Sequence, residues 1–277
     1  MAASTAAAAH LDRLPTTGAV LLSGRLAAYL AVAGEVLAVV SGEAAAPPVS
    51  VVLPAGTRPD DVLAPGDQVL AGGGCLVVRP DGPEPILLTP TRWWEPAGVR
   101  TGRVDPAALT AFEAALAALA EPPADVARAR VAGSRAAEAL VEGSADRSAA
   151  ELCDVLGLGP GTTPSGDDVT AGVLLAAHAM LPPPWRATTD RLAAAVLETA
   201  ATRTGCVSGS MLAQARLGRG TAVVVRAVDA LAGHGDAVCA VDALLDLGHH
   251  SGVDLACGAM AVAFEVARSP LLAGSTR

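Results

Sequence analysis

No lysine occurs in these 277 residues, so all 19 basic side chains are arginines. That absence excludes a Schiff base to pyridoxal phosphate, a Walker-type phosphate loop with its lysine, and a lysine general base. An anionic ligand must then be met by arginine, hydroxyls, backbone N–H groups or helix N-termini. Aromatic residues make up 2% of the chain, the formal net charge is −9, and no basic block appears. A nucleic-acid surface needs positive charge and stacking rings, and the chain has neither. The five cysteines, Cys75, Cys153, Cys206, Cys239 and Cys257, form no C-x-x-C pair and are odd in number. This is no disulfide framework or zinc ribbon, and the thiols read as free groups in a reducing cytoplasm. The apolar stretch 19–40 is broken by Arg25, Gly34 and Glu35, and the stretch 171–181 is too short to span a bilayer. Residues 1–10 lack the charged and apolar regions of a signal peptide, and residues 1–17 read as a disordered start. The expectation is a soluble cytoplasmic protein.

What is there is apolar and small. Hydrophobic residues reach 52%, dominated by alanine, and glycine is abundant. Such a core packs by close backbone approach rather than by large side chains. Residues 18–104 read as a β-rich domain, with Val/Leu runs at 19–22, 35–40, 49–53, 68–71, 75–79 and 86–88 separated by Gly, Pro and Asp signals. The spacing predicts a small antiparallel barrel or curled sheet. The pair Trp93-Trp94 near the end of this region reads as interdomain packing or a partner surface. From Asp105, an N-cap followed by Pro106, the pattern becomes helical. Helices are predicted over 107–120, 123–142, 148–156, 167–180, 185–202, 208–218, 222–233, 235–248 and 251–268. Arg128, Arg130, Arg135 and Glu138 form the polar face of the second. The fold class is therefore α+β, with an all-α domain over 105–277.

Three segments carry chemistry. The first, residues 157–168, reads G-L-G-P-G-T-T-P-S-G-D-D. Its glycines, among them Gly159, Gly161 and Gly166, leave peptide N–H groups free, and Thr162, Thr163 and Ser165 add hydroxyl donors. A helix starts directly behind it, so its positive end faces the loop. Phosphate or carboxylate is the expected guest. One of Asp167 and Asp168 is explained as an N-cap. The other is a spare carboxylate that can act as general base, orient an amide, or hold Mg2+ against phosphate. The plain alternative is a capped turn between helices. The second segment, Gly248-His249-His250-Ser251-Gly252-Val253-Asp254, opens another helix. Adjacent histidines seldom aim both rings at one ion and no third ligand stands near, so no metal site is expected. The third, residues 202–210, offers Arg203 as a bidentate clamp for carboxylate or phosphate. In it Ser208 or Ser210 is a candidate N-cap, and Cys206 a nucleophile with no base fixed beside it.

The first two segments share a pattern. Residues 165–172 and 251–258 both read S-G-x-D-apolar-x-x-G, 86 residues apart (165 to 251). Helical spacing puts Asp168 and Gly172 on one face, and likewise Asp254 and Gly258. Two helices packed with their N-termini converging on one anion are expected. Gly172 and Gly258 would permit the approach, and Ser165 and Ser251 would lie within about two helix diameters (~10–12 Å each).

These segments, in this order, resemble the family that includes the AllH-type subunit of oxamate carbamoyltransferase. Its signatures are G-L-G-P-G-L-T-P-S-G-D-D, T-T-x-I-S and G-H-S-S-G-x-D. Here Thr162, Val207 and His250 stand where Leu, Ile and Ser are usual, and Arg203 replaces the second Thr, with an extra Gly-Cys pair. The resemblance implies carbamoyl transfer between carbamoyl phosphate and an amide such as oxamate, in allantoin catabolism, performed with partner subunits. No cofactor is required, and Mg2+ is admitted. The phosphate would lie on the loop, at Gly159, Gly161, Thr162, Thr163, Ser165 and Gly166, and at the helix N-termini, with Asp167, Ser208, Ser251 and Gly252 completing the substrate site. Asp168 or Asp254 would take the amide proton, His249 or His250 would polarise the carbamoyl carbonyl, and Arg203 would hold the oxamate carboxylate. The competing expectation is a non-catalytic subunit that binds an anion, or that completes a partner's active site.

Overall fold

The computed structural model describes residues 1–248 and 250–273. The chain divides into two compact units, Met1–Ala97 and Gly98–Arg277.

The first unit is one curled nine-stranded sheet. Its elements are β1 (Ala2–Ser4), α1 (Thr5–Leu11), β2 (Thr16–Ser23), β3 (Ala27–Val32), β4 (Glu35–Val40), β5 (Ser50–Val52), α2 (Pro59–Val62), β6 (Gln68–Gly72), β7 (Cys75–Val78), β8 (Ile86–Leu88) and β9 (Arg92–Trp94). The strand order is β8-β7-β6-β2-β3-β4-β5-β1-β9. Alternation of buried and half-buried side chains along β3 explains its place in the sheet: Ala28, Leu30 and Val32 turn inward to a core shared with Leu37, Val51, Val69 and Leu76. Most neighbours are antiparallel, as expected, but β4–β5 and β1–β9 are parallel. The disordered start expected for residues 1–17 is corrected. Ala2–Ser4 pairs with β5 and β9, the Ser4 hydroxyl caps α1, and Ala3, Ala7 and Leu11 are fully buried. Alanine has weak strand preference, so composition hid a segment that tertiary pairing orders. β3 was likewise hidden inside the stretch 19–40, and β9 carries Trp93 and Trp94.

The second unit is helical: α3 (Pro106–Ala117), α4 (Ala124–Val141), α5 (Ala145–Val155), α6 (Ser165–Met180), a 3-10 turn (Pro183–Trp185), α7 (Arg186–Arg203), α8 (Cys206–Ala215), α9 (Ala222–Leu231), α10 (Ala237–Leu245), α11 (Ser251–Arg268) and α12 (Pro270–Ala273). Asp105 caps α3 by accepting from the Ala107 N–H, with Pro106 behind it. Helix α6 is apolar nearly all round and buried nearly all round, which places it at the centre of the bundle. Its principal neighbour is α11. Around that pair, Phe112, Leu140, Leu152, Leu174, Leu192, Leu231 and Val262 make a continuous core. No helix among the described residues is long and apolar enough to cross a membrane.

Candidate functional site at the paired helix tips

Helices α6 and α11 meet through glycines. A Cβ on Gly172 would lie 2.3 Å from the Leu255 carbonyl oxygen and 2.9 Å from the Ala259 nitrogen. A Cβ on Gly258 would lie 2.1 Å from the Val169 carbonyl oxygen and 3.0 Å from the Val173 nitrogen. Each partner is the other's equivalent at the offset of 86, so the contact is reciprocal, as across a local two-fold axis. Nearly two turns toward the N-termini the correspondence continues. A Cβ on Gly166 would lie 1.8 Å from the carbonyl oxygen of Val155, the last residue of α5, and one on Gly252 would lie 1.8 Å from that of Leu244, near the end of α10. Helix–loop–helix units α5–α6 and α10–α11 are thus two copies of one arrangement. The convergence expected from the S-G-x-D pattern is present: the Thr163 and Ser251 hydroxyls are 3.1 Å apart.

The loop 156–164 between α5 and α6 is held at its root and open at its crest. Asp167 accepts from the Gly157 N–H at 2.9 Å with one carboxylate oxygen and from the Thr204 hydroxyl with the other. Gly166 donates to Leu158 O, and Asp167 and Asp168 both donate to Pro164 O. Among the described residues, no acceptor meets the N–H groups of Gly159, Gly161, Thr162, Thr163 or Ser165. Pro160, Gly161 and Thr162 are exposed, and Gly161 at φ +95° has open space where a Cβ would stand. Unpaired N–H groups around a turn, beside a helix N-terminus, form a concavity for anions.

Below the crest the chemistry changes sign. Asp168 is 6% exposed and Asp254 is fully buried. The Oδ2 atom of each is buried with no hydrogen-bond partner. The Oδ1 atom of Asp254 accepts from Arg130 Nε at 2.8 Å. Burial pushes the Asp168 carboxyl up to about 8. The Ser251 hydroxyl, then Thr163, opposes the rise, while the negative charges of Asp254 and Asp167 add to it. Asp168 is therefore mostly protonated at neutral pH. Nearby Cys257 is pushed by burial to about 11 and stays a thiol, with Arg130 opposing and Asp254 adding to that shift.

The structure gathers Thr163, Ser165, Gly166, Asp167, Asp168, Ser251, Gly252 and Asp254, and puts Gly159, Gly161 and Thr162 on the crest above them. It corrects several details. Neither aspartate is an N-cap, because α6 starts at Ser165 behind Pro164 and puts both carboxylates inside its first turn. Helix α8 starts at Cys206 behind Gly205, so Ser208 and Ser210 are not caps either, and Ser208 is buried in the first turn. The Arg203 carbonyl packs on Gly157, while its exposed guanidinium donates to Asp154 O at 3.4 Å. His250 is exposed at the N-cap position of α11, and His249 lies outside the described residues. Sequence reasoning missed Arg130, which was assigned to a polar face. The signal available was Gly133, one turn on. A Cβ there would lie 2.4 Å from Val169 Cγ1, so this is the face of α4 turned to α6. Among the described residues no group of three or more His, Cys, Asp or Glu is placed to hold a metal ion.

With this geometry in hand, the likeness proposed from the motifs is supported by a family model. The model described as oxamate carbamoyltransferase subunit AllH matches residues 155–263, from the last residue of α5 into α11. Both helix tips lie inside the matched segment and Arg130 lies outside it. No curated protein and no solved structure matches the chain.

Proposed function

Taking as premise that residues 155–263 are similar to a subunit of oxamate carbamoyltransferase, we propose that this chain is a subunit of a small-molecule carbamoyltransferase. It works with partner subunits on carbamoyl phosphate and an amide such as oxamate. The observation that carries the reading is the meeting of two helix N-termini at the Thr163–Ser251 contact, with free loop N–H groups on one side and two buried carboxyls on the other. The two sides select opposite ends of the reacting pair. Peptide N–H groups from Gly159 to Ser165 suit the phosphate. Carboxyls repel it, and suit an N–H-bearing amide or carbamoyl head. His250 stands at the start of α11 for the carbamoyl carbonyl, and Arg203 stands at the root of the loop for a carboxylate. Transfer of this kind needs no resident cofactor, and Mg2+ enters only as a companion of the phosphate.

The test uses the full chain with its partner subunits. Carbamoyl phosphate well above its dissociation constant raises the melting temperature of the wild type. Asp168→Asn keeps that shift and loses turnover. An unchanged melting temperature for both carbamoyl phosphate and oxamate contradicts the reading. The exposed crest Pro160–Gly161–Thr162 favours one alternative, a loop that completes a partner's active site. In that case the isolated chain binds nothing, yet restores turnover to its partners.

A further inference from the structure

The paired aspartates are equivalent by position and unequal by surroundings. Each contributes a buried Oδ2 that nothing in the described chain satisfies. A buried carboxylate oxygen without a donor is costly, and with two such carboxyls close enough to repel each other, a proton held on one lowers that cost while the other stays ionised. Arg130 breaks the symmetry by binding Asp254 alone, at 2.8 Å. The helices that precede the two copies also differ: α4, before α5, spans Ala124–Val141 and carries Arg130, whereas α9, before α10, spans only Ala222–Leu231. Thr163 and Ser251, both half-buried, connect the Asp168 side to the open loop.

We propose that Asp168 and Asp254 hold a single exchangeable proton, that Arg130 is the positioning residue that keeps the negative charge on Asp254, and that the Ser251 hydroxyl relays the proton between Asp168 and an amide nitrogen bound at the loop. The relay rests on the reading of this site as one for carbamoyl transfer, whereas the proton-sharing pair does not. In transfer onto an amide, the new N–C bond forms as the bond from the carbamoyl carbon to the phosphate oxygen breaks. The amide nitrogen gives its proton to Ser251 Oγ, whose own proton passes to ionised Asp168. In the reverse direction protonated Asp168 returns it. The charged and titratable groups around the pair are Asp167 on α6, Arg130 on α4, and Cys257 with Asp254 itself on α11. Transfer onto the amide should therefore rise with pH through about 8 and the reverse reaction fall through the same midpoint.

The experiment is a carboxyl-carbon NMR titration of the full chain labelled at aspartate, with turnover measured in parallel. One carboxyl titrating near 8 in the wild type, and moving down in Asp254→Asn, supports the pair. Should Asp254→Asn not fold, Arg130→Gln replaces it, with the midpoint expected to rise. No carboxyl titrating above pH 6, or a midpoint indifferent to these variants, overturns the pair. Ser251→Ala should still show one raised carboxyl, its midpoint moved up because the hydroxyl that opposes the rise is gone, and lower turnover about 100-fold, and full turnover in that variant overturns the relay. A titration as described with no carbamoyl transfer in the wild type overturns the functional reading and leaves the pair standing.

Discussion

The two copies of the helix–loop–helix unit share a backbone and differ in chemistry. In both, a glycine in the first turn rests on a carbonyl near the end of the preceding helix, and a second glycine two turns on admits the partner helix. In both, an aspartate one turn before that second glycine is buried. The first copy adds the long glycine loop with its free N–H groups, while the second joins its helices by the shorter stretch 246–250. The second copy's aspartate has an arginine, and the first copy's has hydroxyls. The lesson is that packing demands are met symmetrically, while polar demands are met asymmetrically. Asymmetry is what an acid and a base in one site require.

The largest effects should come from the shared part. Gly172→Val and Gly258→Val each force side-chain carbon into a backbone carbonyl of the facing helix and should cost more than about 4 kcal/mol, seen as loss of the cooperative denaturant transition. A mild effect at one glycine and a severe one at the other would break the symmetry of the contact. Next is the part the copies do not share. Arg130→Met leaves the fully buried Asp254 without its cation and should cost about 3 kcal/mol in urea denaturation. Smaller still are the loop glycines. Gly161→Ala at φ +95° and Gly248→Ala at φ +66° meet no crowding, so each loses only backbone comfort, about 1–2 kcal/mol. Gly161→Ala should also weaken carbamoyl phosphate binding in calorimetry, and Gly248→Ala should not. Opposite in sign is Asp168→Asn, which should be more stable than the wild type near neutral pH, because the unfolded wild type releases a proton that its native carboxyl keeps.

Much of this was legible in the sequence for physical reasons. The S-G-x-D spacing encoded a face, since Asp168 with Gly172 and Asp254 with Gly258 lie one turn apart on a helix. Beside a helix crossing, small residues mark where backbones touch. β4 and β8 were readable end to end because a short Val/Leu run between turn signals has few other fates. Residues 2–4 were not, because their alanines gain strand structure only from neighbours distant in sequence. Arg130 was not, because periodicity gives a helix its faces without saying which charge a tertiary partner recruits. Arg128 and Arg135 on the same helix are exposed and pair with Asp154 and Glu151. The inward turn of Arg130 depends on α11, which lies more than a hundred residues away. The start of α6 shifted for a local reason. Pro164 takes the cap position, which moves Asp167 and Asp168 from capping into the interior of the first turn.

The chemical split between the copies is tested most directly by folding stability as a function of pH, wild type against Asp168→Asn. The native Asp168 carboxyl holds its proton to about pH 8, whereas in the unfolded chain it loses it near 4. Between those values the folded state binds the extra proton, so this group's contribution is full below pH 4 and is lost as pH rises through 8. The difference between wild type and variant should therefore slope by up to ~1.4 kcal/mol per pH unit across that window, with the wild type falling relative to Asp168→Asn. Parallel curves for the two proteins from pH 5 to pH 8 would show that Asp168 is as ionised as any surface aspartate, and the two copies would then differ in shape alone.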